Sequence, residues 1–345
     1  MEFLSDYGLF LAKAITIVVS ILFMVVGIIA ASSRHHKSDD GVIEINQIND
    51  AYNDLEDALK SAIFTEEQMK QEHKRLKKEH KEEKKKQKKG EEETKKRIFV
   101  IDFDGDVRAS EVANLREEIT AILTIAEKED EVVLRLESPG GMVHTYGLAS
   151  SQLNRITQKE IPLTVIVDAV AASGGYMMAC IGNKILAAPF AIIGSIGVVA
   201  QLPNFHRLLK KNDIDFEMFT AGEHKRTVTM FGENTDKGRE KFVEELEDTH
   251  ELFKSFVSEH RPQVNISEVA TGEIWYGKRA LEQNLIDDIQ TSDEYLMSHR
   301  NDCNIFSIKY TKKKSLQEKL GFAAESTIES LFKKIIGGFN TNRHL

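Results

Sequence analysis

The sequence predicts an α/β protein with a mainly parallel sheet, and three observations lead to this prediction. After residue 97, short apolar runs rich in β-branched residues alternate with amphipathic segments. Their order, strand then helix then strand, is typical of parallel sheets covered by helices. Two of the predicted strands run into glycine turns, at residues 138–141 and 173–175.

The predicted elements follow one another closely along the chain. Strands are expected at residues 98–103, 132–136 and 163–168, with helices at 110–123 and 147–159 between them. Ser110 is expected to cap the first of these helices. Residues 185–200 are apolar but interrupted by Pro189 and glycines, which favours buried strand and turn segments over a membrane span. A long amphipathic helix through residues 242–257 is expected to end before Pro262.

The N-terminus carries an apolar run, residues 9–31, that only Lys13 interrupts. This length predicts a transmembrane helix, because about 20 apolar residues cross a bilayer core. A cleaved signal peptide is the alternative, since small residues at 30–33 offer a cleavage point. Acidic Glu2 and Asp6 stand where such a peptide carries basic residues, and they favour an uncleaved anchor. The local charges leave the orientation of the anchor open.

Residues 34–97 are expected to form a charged helical linker. Ala51, Leu55, Leu59 and Ile63 recur at intervals of four and predict a helix with one apolar stripe. Residues 70–97 contain 14 Lys or Arg against 7 Asp or Glu, so the rest of the chain carries a net charge of −16. The linker is interpreted as solvated, with anionic lipid as its alternative partner. The acidic remainder argues against a nucleic acid partner.

The chain is therefore expected to have four parts. They are a membrane anchor (1–33), the linker (34–97), a catalytic domain (98–300) and a C-terminal extension (301–345). The extension is expected to contain an amphipathic helix that packs on protein or on a membrane surface, with its apolar face formed by Leu316, Leu320, Ile328, Leu331 and Ile335. Two cysteines, Cys180 and Cys303, are too few for a disulfide framework.

Ser173 is the candidate nucleophile. It lies where a buried strand turns into a helix of small residues, a position that exposes the hydroxyl beside the free N–H groups of the helix start. The Pro-Gly-Gly turn at residues 139–141 follows the preceding strand. Its glycines allow backbone N–H groups to approach a ligand, as an oxyanion hole requires.

The sequence alone leaves the base for Ser173 open. His144, His206 and His224 have no evident carboxylate partner in sequence. Lys225 is the other candidate, because a lysine acts as a general base where burial lowers its pKa toward neutrality. Most lysines in such polar surroundings are solvated.

A rival motif occupies residues 99–107, Phe-Val-Ile-Asp-Phe-Asp-Gly-Asp-Val. It resembles the aspartate-nucleophile strand of haloacid-dehalogenase-type phosphatases. Those enzymes usually carry Thr or Val where Asp106 stands, and they need an acidic magnesium pair for which Asp287 and Asp288 are a weak candidate. A strand followed by an acidic turn is the better interpretation.

Taken together, the anchor, the spacer and several motifs resemble the membrane serine peptidases of the signal peptide peptidase A family. The motifs are Ser138-Pro139-Gly140-Gly141, Ala171-Ala172-Ser173-Gly174-Gly175-Tyr176, Gly194-Ser195-Ile196-Gly197-Val198, Lys225-Arg226-Thr227 and Gly277-Lys278-Arg279-Ala280-Leu281. The resemblance implies a fold of the Clp-protease and crotonase type, built from stacked βαβ units. It also implies a Ser-Lys dyad of Ser173 and Lys225, with backbone N–H groups near Gly140 or Gly141 and at Gly174 as the oxyanion hole.

The resemblance further implies a serine endopeptidase that needs neither cofactor nor metal. Its substrates would be signal peptides and other unfolded or membrane-associated polypeptides. The enzyme would lie in the bacterial inner membrane with its catalytic domain in the periplasm, as a homo-oligomer with sites between protomers. Two alternatives stay open: a crotonase-like acyl-CoA enzyme, and a membrane scaffold without catalysis.

Overall fold

The computed structural model of the protein describes residues 41–89 and 95–312, together with residues 7–10, 13, 16, 17 and 20. The chain divides into two compact units, one of residues 1–42 and 311–345 and one of residues 43–310. Most of the first unit, including most of the predicted anchor and the predicted C-terminal helix, lies outside the described residues. The described residues belong almost entirely to the second unit.

The α/β class predicted from the sequence is confirmed, with strands and helices alternating along residues 96–312. The described strands are β1 (Gly41–Gln47), β2 (Lys96–Asp104), β3 (Glu131–Glu137), β4 (Leu163–Val167), β5 (Val170–Ala172), β6 (Lys184–Ala187), β7 (Ile192–Gly194), β8 (Ile274–Tyr276), β9 (Asp288–Ile289) and β10 (Cys303–Lys312). The described helices are α1 (Ile48–Ile63), α2 (Glu66–Lys89), α3 (Val112–Leu123), α4 (Val143–Thr157), α5 (Gly174–Ala179), α6 (His206–Lys211), α7 (Asp236–His260), α8 (Ile266–Val269), α9 (Gly277–Glu282) and α10 (Ser292–His299).

Within the described residues, seven strands form one sheet in the order β1-β10-β2-β3-β4-β6-β9. From β10 to β9 each neighbouring pair is parallel. All five residues of β4 are buried, as expected of a central parallel strand covered on both faces. One face packs against α3, α4 and α5, and the other carries a smaller cluster that includes Tyr295 and Leu296 of α10.

A second, three-stranded sheet positions the candidate nucleophile. Its order is β5-β7-β8, with β5 and β7 parallel and β7 and β8 antiparallel. This small sheet is therefore mixed, whereas the strand pairs from β10 to β9 in the larger sheet are parallel. Residues 185–200, read from the sequence as buried strand and turn, supply β6 and β7.

The predicted N-cap at Ser110 is wrong. Helix α3 begins at Val112, and Glu111 at its N-cap makes no side-chain capping bond. The Ser110 hydroxyl instead donates to Asp106 at 2.7 Å. The Asp106 carboxylate also accepts from the Ser110 N–H, and these two bonds hold the serine in the turn before the helix, one residue before its N-cap.

The predicted linker contains a strand as well as helices. Its apolar stripe lies on α1, where Leu55, Leu59 and Ile63 are all more than half exposed. The helix is tied to the sheet by Asn49, whose side chain bonds to the backbone of Cys303 and Ile305 in β10.

None of the helices among the described residues is both long and apolar enough to cross a membrane. Only four scattered groups of residues within the first 20 are described, so most of the predicted span at 9–31 lies outside the described residues.

Candidate active site

Ser173 lies between β5 and α5 in a backbone conformation that few non-glycine residues adopt, with φ +52° and ψ −119°. Its N–H donates to the Gly194 carbonyl at 2.7 Å, and its carbonyl accepts from Met177 at 3.0 Å. The side chain does not cap α5. Such strain costs on the order of 1–3 kcal/mol and persists only where the surroundings impose it. The Ser173 hydroxyl is therefore not engaged in capping the helix that follows.

The glycine turn of residues 138–141 lies directly beside this serine. Ser138 exchanges two backbone hydrogen bonds with β5, donating to Val170 at 2.8 Å and accepting from Ala172 at 3.0 Å. Gly140 has φ +88°, and a Cβ placed on it would come within 2.8 Å of the Ser173 Cβ and 2.7 Å of the Gly174 nitrogen. Only glycine fits this approach. The fold thus brings together two features separated by about 35 residues in sequence.

Three backbone N–H groups belong to the glycines on either side of this close approach, Gly140, Gly141 and Gly174. Among the hydrogen bonds of the described residues, those of Gly141 and Gly174 have no acceptor, whereas the Gly140 N–H donates to the Ser138 hydroxyl at 3.1 Å. Helix starts carry such unpaired donors and attract negative charge. The unpaired N–H groups of Gly141 and Gly174, close to Ser173 in the chain or in space, are the candidate donors for an oxyanion.

Lys225 lies in the segment between α6 and α7 and is exposed. Its backbone N–H donates to Gly222 at 3.2 Å. Within the part of the chain that the structure describes, no hydrogen bond or ion pair links its ammonium group to Ser173 or to any carboxylate. In the described part of the single chain, Lys225 is therefore exposed, without a hydrogen bond to the other predicted site residues.

The histidines do not complete a triad within the described residues either. His144 and His224 are exposed, and His224 lies 4.0 Å from Glu223. His250 of α7, which the sequence did not single out, hydrogen bonds through Nε2 to the Ile196 carbonyl at 3.2 Å. That contact is to backbone rather than to a nucleophile.

Asp102 and Asp106 of the rival motif, together with Asp287, have structural partners that argue against the phosphatase interpretation. Asp102 forms a bidentate ion pair with Arg135 at 2.5 and 2.8 Å. Asp106 accepts from Arg108 and Ser110, and these hydrogen bonds, chiefly that from the Ser110 backbone, lower the pKa of its carboxyl group. Asp287 is bound to the buried Arg261 at 2.9 Å through each oxygen.

Comparison with protein families decides the class of the protein. The profile described as Peptidase family S49 N-terminal matches residues 2–153, and that described as Peptidase family S49 matches residues 155–305. The chain belongs to peptidase family S49. It is accordingly a protease, as the sequence motifs predicted.

Curated relatives agree with this S49 assignment over nearly the full chain. The "Probable protease SohB" of Haemophilus influenzae is 52% identical over 333 residues, covering 94% of both chains. The "Probable protease SohB" of Buchnera aphidicola from Acyrthosiphon pisum is 49% identical over 338 residues, covering 97% of this chain and 98% of the relative.

A solved structure of the 1510-N membrane-bound stomatin-specific protease, a mutant in complex with a substrate peptide, also aligns with this S49 chain. The match covers 66% of this chain and 97% of the other, with a TM-score of 0.41 and 14% identity.

Sequence reasoning missed Tyr146, which the structure places beneath the S49 site. It lies on α4, fully buried, with its ring against Gly174 and its hydroxyl on Ser138. The signal was present in the spacing of Tyr146, Ala149, Leu153 and Ile156, which puts this residue on the core face of a helix. A hydroxyl on that face, five residues after a glycine turn, needs a buried partner.

Proposed function

We propose that the protein is a membrane-anchored serine endopeptidase that uses a Ser173–Lys225 dyad. The observation that carries the proposal is Ser173 itself, held at φ +52° beside two unpaired backbone N–H groups. Nucleophiles of this kind need an exposed hydroxyl and an anion site prepared before reaction. Membership of family S49 supplies the reaction class, peptide hydrolysis.

The proposed reaction has two halves. Neutral Lys225 removes the hydroxyl proton as Ser173 Oγ attacks the peptide carbonyl, and the oxyanion is held by the N–H groups of Gly174 and of Gly140 or Gly141. The proton then passes from Lys225 to the leaving nitrogen, the C–N bond breaks and an acyl-enzyme remains. Water next transfers a proton to Lys225 and attacks the ester, after which Ser173 leaves with that proton.

We further propose that the site is completed in a homo-oligomer. Lys225 is exposed in the single chain, and a lysine works as a base only where burial favours its neutral form. Apolar side chains on the longer segment between β7 and α7, which contains Lys225, are also exposed, namely Val199, Leu202, Leu208, Ile214, Met218 and Phe219. Exposed apolar patches of this kind mark contact surfaces. A second copy covering this segment would bury Lys225 and deliver it to a neighbouring Ser173.

The dyad is tested by hydrolysis of an unfolded protein and of a signal-peptide substrate. Ser173→Ala and Lys225→Ala should each lower kcat by about a thousandfold or more, because the two groups act as one unit. Lys211→Ala, an exposed lysine on the same segment, is the matched control and should keep full activity. All three variants should form the same oligomer as the wild type.

Full activity of Ser173→Ala or Lys225→Ala would overturn the dyad. An intact oligomer whose wild type hydrolyses neither substrate would favour a scaffold without catalysis.

The membrane anchor at residues 9–31 is proposed from the sequence, where one lysine interrupts 23 otherwise uncharged residues. We propose that the anchor lies in the bacterial inner membrane, with residues 98–300 in the periplasm.

Labelling of a single cysteine tests this orientation. Glu129→Cys introduces an exposed thiol in residues 98–300, while Cys180 and Cys303 are buried. A membrane-impermeant maleimide should label this variant in cells stripped of their outer membrane. Labelling only after lysis would contradict the orientation, and release by alkaline carbonate would contradict the anchor.

A further inference from the structure

A buried chain of hydroxyl groups links the glycine turn to the loop after β2. Tyr146 Oη lies 2.5 Å from Ser138 Oγ and 2.8 Å from the Asp106 carbonyl oxygen, and Ser138 Oγ lies 3.1 Å from the Gly140 nitrogen. Tyr146 and Ser138 are both fully buried. Buried polar groups of this kind stabilise one arrangement when every member has a partner.

The direction of each bond in this chain follows from the number of protons available. The Asp106 carbonyl can only accept, so Tyr146 donates its single proton there. Tyr146 Oη must then accept the proton of Ser138, which leaves Ser138 Oγ as acceptor for the Gly140 N–H. Burial raises the pKa of Tyr146, so its proton stays in place. The orientation of the Gly140 peptide thus depends on the tyrosine hydroxyl.

The ring of the same tyrosine supports the nucleophile. A Cβ placed on Gly174 would lie 2.4 Å from Tyr146 Cγ, so the ring fills the space beside the residue that follows Ser173. The hydroxyl and the ring of one side chain therefore contact both the glycine turn and the residue that follows Ser173. Few single residues could hold both at once.

We propose that Tyr146 is a positioning residue that holds the Gly140 turn and the start of α5 in the mutual arrangement required to bind the oxyanion. The proposal rests on the peptidase function proposed above. Tyr146 does not touch the substrate; it acts through Ser138, Gly140 and Gly174.

The test compares Tyr146→Phe with Tyr295→Phe. Both variants lose one buried phenol hydroxyl, but that of Tyr295 donates to Glu131 at 2.5 Å, in the cluster on the opposite face of the sheet. Tyr146→Phe should lower kcat about tenfold with KM within twofold of the wild type, a smaller loss than removal of an oxyanion donor. Tyr295→Phe should keep kcat even where it lowers the unfolding midpoint more.

Two further readouts separate positioning from general stability. Hydrogen–deuterium exchange of residues 138–142 in the full chain should be at least several times faster in Tyr146→Phe and unchanged in Tyr295→Phe. Adding Tyr146→Phe to Ser138→Ala should lower kcat no further, because both changes break one chain of bonds.

Unchanged exchange at residues 138–142 in Tyr146→Phe would overturn the positioning role, whatever the activity. A kcat equal to that of the wild type, or a loss confined to KM, would overturn it as well. If hydrolysis proves independent of Ser173, the proposed function fails, and the exchange measurement still decides whether Tyr146 orders the turn.

Discussion

At the scale of single residues, two unusual backbone conformations define the candidate site. Ser173 has φ +52° and Gly140 has φ +88°, and the space between them leaves no room for an additional carbon atom. The glycine tolerates its conformation freely, whereas the serine stores strain. The sequence motifs indicated both positions, the glycine through its tolerance of positive φ and the serine through its place between strand and helix. The φ values of these two residues and the short distance between them depend on the packing of the folded molecule.

Replacing Gly140 tests this constraint. Gly140→Ala should abolish hydrolysis and lower the free energy of unfolding by about 2–4 kcal/mol, from the left-handed conformation and the clash with Ala172 and Gly174. Gly147→Ala is the control, since a Cβ on this α4 residue meets nothing within 4 Å. It should keep activity and add about 0.5–1 kcal/mol of stability. Urea unfolding and kcat measure both effects, and an active Gly140→Ala would contradict the role of the turn.

At the scale of elements, α3 carries a buried carboxyl group that couples it to β10. Glu118 is only 5% exposed, and its Oε1 accepts from the Tyr310 N–H at 2.8 Å. Desolvation raises the pKa of Glu118 to about 7, and the hydrogen bond from Tyr310 opposes this only in part. The folded protein therefore binds a proton here that the unfolded chain releases near pH 4.5.

Stability should consequently fall as the pH rises from about 4.5 to about 7, because the folded state binds more protons in that window. Glu118→Gln keeps an acceptor for Tyr310 without a charge. This variant should be more stable than the wild type at pH 8, by at most on the order of 3 kcal/mol, and similar to it near pH 4.5.

Thermal unfolding at several pH values measures the effect of Glu118→Gln. Glu117→Gln, its exposed neighbour on α3, should change the profile little. An unaltered pH profile in Glu118→Gln would show that another group causes the dependence.

At the scale of the whole molecule, the segment between β7 and α7 is held together without being buried. Asn204 bonds to the carbonyls of Thr229 and Gly232, and Phe216 and Phe231 pack with ring centroids 5.9 Å apart. Phe219 nevertheless remains 89% exposed. A segment that is ordered yet apolar on its outside fits a contact surface between copies of the chain.

Phe219→Asp should weaken the proposed oligomer, because each contact would bury a carboxylate without a partner. Hydrolysis should fall with assembly, since Lys225 of one protomer would no longer reach Ser173 of another. Ile125→Asp changes an isolated apolar residue that is 56% exposed and should affect neither property. Sedimentation in detergent, with kcat measured on the same samples, tests both. Normal assembly and normal activity in Phe219→Asp would exclude this surface.

Much of the fold could be predicted because hydrophobic periodicity is local. The apolar runs at residues 98–103, 132–136 and 163–168 became β2, β3 and β4 with boundaries that moved by two residues at most. The Ser110 cap failed because the helix begins two residues later, at Val112, while bonds to Asp106 hold Ser110 in the preceding turn. The strand β1 was missed because its partner β10 is more than 250 residues away.

The sequence by itself determined the α/β class, the strand-to-helix position of Ser173 and, through its motifs, membership of the S49 peptidases, because residue type and spacing record these properties. Only the tertiary structure decided that Ser138, Gly140 and Ser173 adjoin and that Tyr146 contacts both halves of the site. The reason is physical: side-chain periodicity is set by neighbours along the chain, whereas a hydrogen-bonded site depends on distances of a few ångströms between distant segments. Burial of Lys225 and Phe219 would depend in addition on association between chains.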